Sequence, residues 1–186
     1  MSRFSARDIT MTAVFAALAV VAAMLVRYGG SIVPFSLIPF VVMLAGGVLG
    51  ARLGALSMIV YILLGLVGVP VFASPPFGGP AYVLSPTFGF LPGFVGSAYV
   101  IGLLLKDREQ GGLPVYFFSM VAGIAVYYLF GLSYLYVILN FYLGQTVSTV
   151  KVLYIGFIPF IVLDLFKAAA AAIMARELHR RLNDLA

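Results

Sequence analysis

The feature that most constrains the fold of this chain is the length of its apolar runs. No charged residue occurs from Ile9 to Val26, and none occurs from Leu113 to Val150. Hydrophobic residues make up 63% of the 186 residues and charged residues 9%, against about 25% charged in soluble domains. A soluble core could not bury this much apolar surface. The sequence therefore predicts an integral membrane protein.

Composition also excludes several kinds of site. The chain has no cysteine, and its one histidine, His179, lies in a polar C-terminal tail. Thiolate metal sites, cysteine nucleophiles and serine–histidine catalysis therefore lack their usual residues. No P-loop for ATP occurs. We expect no enzyme activity, metal or cofactor, and we expect a transporter of this size to take its energy from a partner.

The charged clusters divide the chain into six predicted transmembrane helices within a single domain, residues 1–186. They cover roughly 9–27, 36–51, 53–69, 86–105, one helix from about Pro114, and 154–176. The uncharged run 113–150 fits one helix with an apolar outer loop, or two helices.

The distribution of basic residues favours six spans with both termini in the cytoplasm. Arg27 and Lys151 would then lie outside, whereas eight basic residues would lie inside. These are Arg3, Arg7, Arg52, Lys106, Arg108, Arg176, Arg180 and Arg181. A seventh helix would weaken that asymmetry. The net charge of +5 is therefore interpreted as a topology signal and not as a nucleic-acid surface.

Two charges stand inside the last predicted span. Asp164 and Lys167 are three residues apart in "IPFIVLDLFKAAAAAIMA", so they share one helix face and can form an ion pair. A charge at the bilayer centre costs about 2.5–3.5 kcal/mol on insertion scales. The pair should therefore face the bundle interior. It is either a purely structural lock or, as we favour, an anchor for a ligand with a carboxylate, held by Lys167, and an N–H group, held by Asp164.

The segment 70–85, "PVFASPPFGGPAYVLS", is too rich in proline and glycine for a helix. It predicts an ordered outer loop between helices 3 and 4 that acts as a lid. The alternative is an ordinary connection with aromatic residues at the membrane surface. The lid and the start of helix 4 offer candidate substrate-binding residues, namely Phe72, Ser74, Tyr82, Thr87 and Phe90, with Phe77 as a further apolar wall.

Small residues recur at intervals of four in helix 1. Ala13 and Ala17 form one such pair, and Ala19 and Ala23 form another. This spacing lets helix backbones approach closely in lipid. It is typical of packing within a bundle, but the extended smooth face around Ala13 and Ala17 could also dock another membrane subunit.

Three segments resemble the BioY family, the biotin-binding S components of energy-coupling-factor (ECF) transporters. They are "LAGGVLGARLGALSMIVYILLGLVGVPVFA" (44–73), "LSPTFGFLPGF" (84–94) and "IPFIVLDLFKAAAAAIMAREL" (158–178). Within them, the patterns YxLLGxxGxPVFA at Tyr61–Ala73 and PF…DLxKA at Pro159–Ala168 are the most specific. The resemblance covers most of the chain from residue 34 onward.

The resemblance implies a six-helix subunit that captures biotin from outside. Such a subunit docks on a membrane coupling protein bound to two cytoplasmic ATPases. Asp164 and Lys167 match the acidic and basic residues of the family's helix-6 motif, which contribute to biotin binding. Ala13 and Ala17 match the position at which these subunits meet the coupling protein.

The chain departs from the family pattern near the expected pocket. It reads "VPFSLI" where the family typically reads V-P-F-T-L-Q, and "SPTFGF" where the family has G-P-T-G-G-Y. A biotin precursor or another small carboxylated vitamin therefore stays open as the ligand. A non-transport assembly factor or intramembrane enzyme is the alternative from a different class. An assembly factor would have no saturable ligand. An enzyme would need a nucleophile with an activating base, which the sequence does not show.

Overall fold

The computed structural model describes residues 5–28, 36–106, 108 and 111–184, and within these it is all-α, as predicted. The helices are α1 (Ala6–Tyr28), α2 (Ile38–Leu66), α3 (Phe90–Leu105), α4 (Leu113–Val137), α5 (Thr149–Gly156) and α6 (Ile158–Asp184). Arg3 and most of the predicted connection 28–35 lie outside the described residues.

The two predicted helices 36–51 and 53–69 form a single element with a sharp bend. Helix α2 is interrupted at Gly50, whose φ of 76° and ψ of 178° are not helical. Its two arms, 38–49 and 51–66, fold back on each other. A Cβ on Gly54 would lie 2.8 Å from the carbonyl oxygen of Ala45, whereas nine residues of straight helix span about 13 Å. The predicted boundary at Arg52 was therefore two residues late, because glycine accepts the positive φ of the bend.

The other helix boundaries also differ from the prediction. Helix α3 begins at Phe90 and not at residue 86. The run 113–150 holds one long helix, α4, which continues as a π-helical turn over Ile138–Tyr142. The last long helix begins at Ile158 and not at 154, because Pro159 lacks the N–H that would continue the preceding helix. The loop segment 70–85 contains a short 3-10 helix, Pro80–Leu84.

Four helices are long and apolar enough to cross a membrane within the described part of the chain. They are α1, α2, α4 with its π-helical extension, and α6 up to Arg181, and the shorter α3 is also apolar. When the two arms of α2 are counted separately, six helical segments make up the bundle beside the short α5. The predicted count of six is thus reached through the bend at Gly50.

The bundle has two distinct ends. At one end, which we call the loop end, the segment 67–89 connects α2 to α3 and contacts α1 and α4: Arg27 donates to the carbonyl of Pro70, and Tyr134 donates to that of Val83. The N-terminus of α6 lies at this end as well, since Gly156 packs against Leu132 near the end of α4.

The opposite end, which we call the elbow end, holds the bend of α2. A side chain on Gly102, near the end of α3, would overlap the backbone of Gly50 and Ala51. The start of α4 and the end of α6 meet there too, where the Tyr116 hydroxyl lies 2.8 Å from His179 Nδ1. The N-terminus of α1 lies at this end because a helix of 23 residues is about 35 Å long and its other end, Arg27, contacts the loop.

Close packing at Gly54 generates a stability prediction. Gly54→Ala should destabilise the protein by about 1–3 kcal/mol, because its Cβ would lie within 3.0 Å of backbone atoms that cannot move aside independently. Gly112→Ala is the matched control, since its Cβ would meet nothing closer than 3.4 Å. Thermal unfolding in detergent should show a lower midpoint for Gly54→Ala alone. Equal midpoints would contradict the folded-back arrangement of α2.

Candidate ligand-binding site

A buried carboxylate on α6 organises the polar interior of the bundle. Asp164 is 3% exposed. Its Oδ1 accepts from Lys167 Nζ at 2.8 Å, and its Oδ2 accepts from the Tyr127 and Tyr128 hydroxyls at 2.6 and 2.7 Å. The predicted ion pair is therefore present and faces the bundle interior. The two tyrosines come from the middle of α4, so the carboxylate ties α4 to α6.

The hydrogen-bonding capacity of this cluster is divided unequally. A carboxylate has about four lone-pair sites, and Asp164 uses three of them for described residues. An ammonium has three donors, and Lys167 uses one for Asp164 among the described residues. The Lys167 side chain is also more exposed, at 14% against 5% for Asp164. Lys167 thus keeps most of the free capacity of the pair, and Asp164 keeps one acceptor position.

Aromatic rings surround the cluster. Tyr128 contacts Phe157 and Phe90 edge to face, with ring centroids 4.9 and 6.1 Å apart. Tyr127 contacts Phe94 with centroids 5.6 Å apart. These rings keep the surroundings apolar, and a low local dielectric strengthens the hydrogen bonds to the carboxylate. A rigid polar centre with an apolar wall is the type of environment that binding sites for small molecules provide.

A second polar group lies in the loop between α2 and α3. The Tyr82 hydroxyl is 2.9 Å from Ser74 Oγ and 3.0 Å from Thr87 Oγ1, and Ser85 Oγ is 3.1 Å from Thr87 Oγ1. Three of the predicted substrate-binding residues, Ser74, Tyr82 and Thr87, therefore contact one another. Hydroxyls that satisfy each other in this way can exchange a mutual bond for a bond to a ligand, because each both donates and accepts.

Phe72 packs against the ring of Tyr82, on the buried side of this cluster of hydroxyls. It is 1% exposed, its ring lies 4.2 Å from that of Tyr82, and it fills the space left by the missing side chain of Gly65. It meets Tyr61 edge to face at 5.7 Å. Phe72 thus supports the loop from below.

Phe90 connects the carboxylate cluster around Asp164 with the hydroxyl cluster around Tyr82. Phe90, the first residue of α3, contacts Tyr128 of the carboxylate cluster and follows Thr87 of the hydroxyl cluster by three residues. Phe72, Tyr82, Tyr127 and Tyr128 belong to one continuous apolar core, and Phe90 packs against it. The structure therefore brings the predicted site residues into one region at the loop end.

Sequence reasoning missed the tyrosine pair and misplaced the depth of the charges. Tyr127 and Tyr128 stand in the middle of an apolar run, where a phenolic hydroxyl needs a partner, and that was the available signal. Asp164 was expected about ten residues into its helix. It lies six residues after Ile158, about 9 Å along α6 from the loop end.

The two alanine pairs of α1 have different surroundings. Ala19 and Ala23 are fully buried where α1 packs on α2, whereas Ala13 and Ala17 are exposed. The first pair therefore serves packing within the bundle. The predicted docking pair lies on a surface that the described residues leave exposed.

An apolar groove of about 270 Å³ lies elsewhere, between the start of α4 and the C-terminal half of α6. Its lining includes Phe117, Phe118, Ala172 and Ile173 and none of the predicted site residues. Within the described ranges no cluster of three or more histidine, cysteine or carboxylate side chains could hold a metal ion.

The geometry can be compared with known proteins. A sequence profile of the BioY family matches residues 1–184. The chain belongs to the BioY family. This confirms the resemblance found in the motifs.

Individual relatives agree with this assignment. The chain is 40% identical to "Probable biotin transporter BioY" of Lysinibacillus sphaericus over 176 residues, which cover 95% of this chain and 88% of the relative. It is also 40% identical to "Biotin transporter BioY" of Thermotoga maritima over 174 residues, 94% of this chain and 96% of the relative.

A solved structure matches the fold. The crystal structure of the S component for biotin from an ECF-type ABC transporter superimposes with a TM-score of 0.78. The match covers 96% of this chain and 95% of that one, at 23% sequence identity. It shows that the chain has the S-component fold.

The shared carboxylate predicts an order of stabilities among variants. Lys167→Met should destabilise the protein more than the double variant Asp164→Asn/Lys167→Met, because the single change leaves a buried carboxylate without its cation. Tyr127→Phe should cost about 1–3 kcal/mol, because it removes one donor from a buried acceptor. Thermal unfolding without ligand measures all three. A double variant that is less stable than Lys167→Met would contradict the coupling.

Proposed function

We propose that this chain is the substrate-capture S component of an ECF-type vitamin importer, and that its ligand is biotin. The observation that carries the proposal is the buried cluster of Asp164, Lys167, Tyr127 and Tyr128 at the loop end of an S-component fold. Membership of the BioY family and the names of its relatives support biotin as the ligand.

The chemistry of the cluster fits a ligand with one carboxylate, one N–H group and an apolar body. Biotin has a valerate carboxylate, a ureido ring and an apolar thiophane. In our proposal, Lys167 binds the carboxylate through its free donors. Asp164 accepts one ureido N–H at its remaining lone-pair position, and the tyrosine pair holds the carboxylate of Asp164 in place.

The loop provides the rest of the proposed site. Phe90 forms an apolar wall beside Tyr128, and Ser74, Tyr82 and Thr87 provide hydroxyls. Phe72 supports them from below. In this proposal the segment 70–85 is a lid that covers the ligand, and ligand binding takes hydroxyl bonds that the loop residues otherwise make with one another.

The proposed membrane topology of the protein rests on the positions of the charges. Arg7, Arg52, Lys106, Arg108 and the cluster from Arg176 to Arg181 lie on segments at the elbow end. Arg27 and Lys151 lie at the loop end. The basic end of a bundle faces the cytoplasm. Both termini then lie on the cytoplasmic side of a prokaryotic cell membrane, and the site opens to the outside, as capture of an external vitamin requires.

Partners complete the proposed transporter. The sequence has no ATP-binding motif, so transport needs energy from a partner. The family resemblance implies that these partners are a coupling subunit in the membrane and two cytoplasmic ATPases. The exposed pair Ala13 and Ala17 on α1 offers the docking face, because small side chains let another helix approach closely.

Biotin titration tests the ligand and the role of the charges. Calorimetry on the detergent-purified protein should show tight saturable binding. Lys167→Ala should weaken it about a hundredfold by removing a charged donor, and Asp164→Asn should also weaken it. Lys151→Ala, an exposed lysine at the same end, is the matched control.

The outcomes separate the open alternatives. Binding of dethiobiotin or another carboxylated vitamin in place of biotin would keep the S-component role and change the ligand. Normal biotin binding by both Lys167→Ala and Asp164→Asn would make the site assignment wrong. Absence of any saturable ligand in the folded protein would favour an assembly factor.

The docking face is tested by separating capture from transport. Ala13→Leu together with Ala17→Leu should leave biotin affinity unchanged, because neither residue contacts the cluster, but should abolish co-purification with the coupling subunit. Ala125→Leu, an exposed alanine on α4, is the control. If the Ala13/Ala17 double variant co-purifies like the wild type, the partner binds elsewhere.

A further inference from the structure

Helix α1 lies at the edge of the bundle. Its main helix partner is α2, on which it buries Thr12, Ala16, Ala19 and Ala23. The opposite face is exposed along its whole length, from Ala13 to Leu25. An edge helix of this kind has few ways to contact the loop of the site, and Arg27 makes such a contact within the part of α1 that the structure describes.

Arg27, in the last turn of α1, binds the loop in two ways. Its guanidinium donates to the carbonyl oxygen of Pro70 at 3.3 Å, and its Cζ lies 3.8 Å from the centroid of the Phe77 ring. A guanidinium within about 6 Å of an aromatic centroid is attracted by the ring quadrupole. Pro70 is at the start of the loop and Phe77 is in its middle, so one side chain bridges both.

Phe77 has an unfavourable backbone conformation, which contacts with other residues must stabilise. Its φ is 66°, a left-handed conformation that is uncommon for a bulky residue. The turn is closed by Phe77 N donating to the carbonyl of Ser74, and by Phe72 N donating to the carbonyl of Phe77, both at 2.8 Å. Ser74 and Phe72 are the same residues that form and support the hydroxyl cluster. The position of Phe77 is therefore tied to that of Ser74, one of the proposed ligand-binding hydroxyls, and to that of Phe72, which packs against Tyr82.

We propose that Arg27 is a positioning residue that holds the loop 70–85 over the ligand and sets the rate at which ligand exchanges. Removing the guanidinium releases Phe77 and lets the 74–77 turn relax, so that the loop opens more often. Arg27 does not contact the carboxylate cluster in the structure, so the effect falls on exchange rates. The inference rests on the proposed function for its ligand but not for the loop contact itself.

The first experiment measures loop opening without any ligand. The chain has no cysteine, so Val71→Cys, at a loop position that is 4% exposed, introduces a single thiol that a maleimide reaches only when the loop opens. In lipid nanodiscs, adding Arg27→Ala should raise the labelling rate roughly tenfold, since loss of a cation–π contact of ordinary strength is a change of this order. Lys151→Ala in the same background should leave the rate unchanged.

Variants at both partners separate a specific contact from general loosening. Phe77→Leu should raise labelling as Arg27→Ala does, and the double variant should add little, because both changes remove the same contact. Phe77→Tyr, which keeps an aromatic face, should restore slow labelling. Equal labelling of the wild type and Arg27→Ala in the Val71→Cys background would overturn the proposal. Fully additive effects of Arg27→Ala and Phe77→Leu would overturn it too.

Ligand kinetics then connect the contact to capture. With biotin as the probe, Arg27→Ala should raise the association and dissociation rate constants together, whereas Lys167→Ala should act mainly on dissociation. A dissociation rate constant for Arg27→Ala equal to that of the wild type would overturn the role in exchange. If the wild type does not bind biotin, the proposed ligand fails, whereas the labelling experiment still decides whether Arg27 holds the loop.

Discussion

The structure depends on the hydrogen bonds that Asp164 makes inside an apolar bundle. A lone carboxylate at that depth would be strongly unfavourable in lipid. Here one cation and two phenolic hydroxyls share it at distances of 2.6–2.8 Å, which are short because the acceptor is charged. Since these donors come from α4 and α6, the same bonds that make the charge tolerable also fix two helices relative to each other. A ligand site built there is rigid before any ligand arrives.

Glycine makes the surrounding bundle compact enough for that site. The bend at Gly50 lets one element fold back on itself, and Gly54 lets the backbones of the two arms touch. Gly46 lets the first arm approach the backbone of α3 at Ala98. Gly131 similarly leaves room for the Phe90 ring. In lipid, helices associate through such close packing, because the acyl chains are as apolar as the helix surfaces and the hydrophobic effect does not drive helices together. The absence of a side chain at Gly131 thus determines where the Phe90 ring lies beside the candidate site.

The sequence predicted what short-range rules determine. Spacing alone placed Asp164 and Lys167 on one face, and proline and glycine content located the loop at 70–85. The two tyrosine partners of Asp164 are 36 and 37 residues away on another helix, and no local pattern encodes which face of α4 meets α6. The bend at Gly50 was assigned two residues late for a related reason. The nearby charge of Arg52 marks a membrane surface, whereas the backbone reverses where glycine permits a positive φ.

The candidate site combines parts of different stability, and this division has a physical basis. The charges lie on α6 inside the bundle, where local opening is costly. The hydroxyls lie on a loop whose shape relies on Arg27, on the left-handed Phe77 and on short backbone bonds. A ligand held only by the rigid part would be exposed to solvent, and one held only by the loop would be poorly selected. In the proposed site, the charged contacts therefore set affinity, and the weaker loop contacts set how fast the ligand enters and leaves. Affinity is the ratio of the dissociation and association rate constants, so a contact changes exchange without changing affinity only when it alters both rate constants together, as proposed for Arg27.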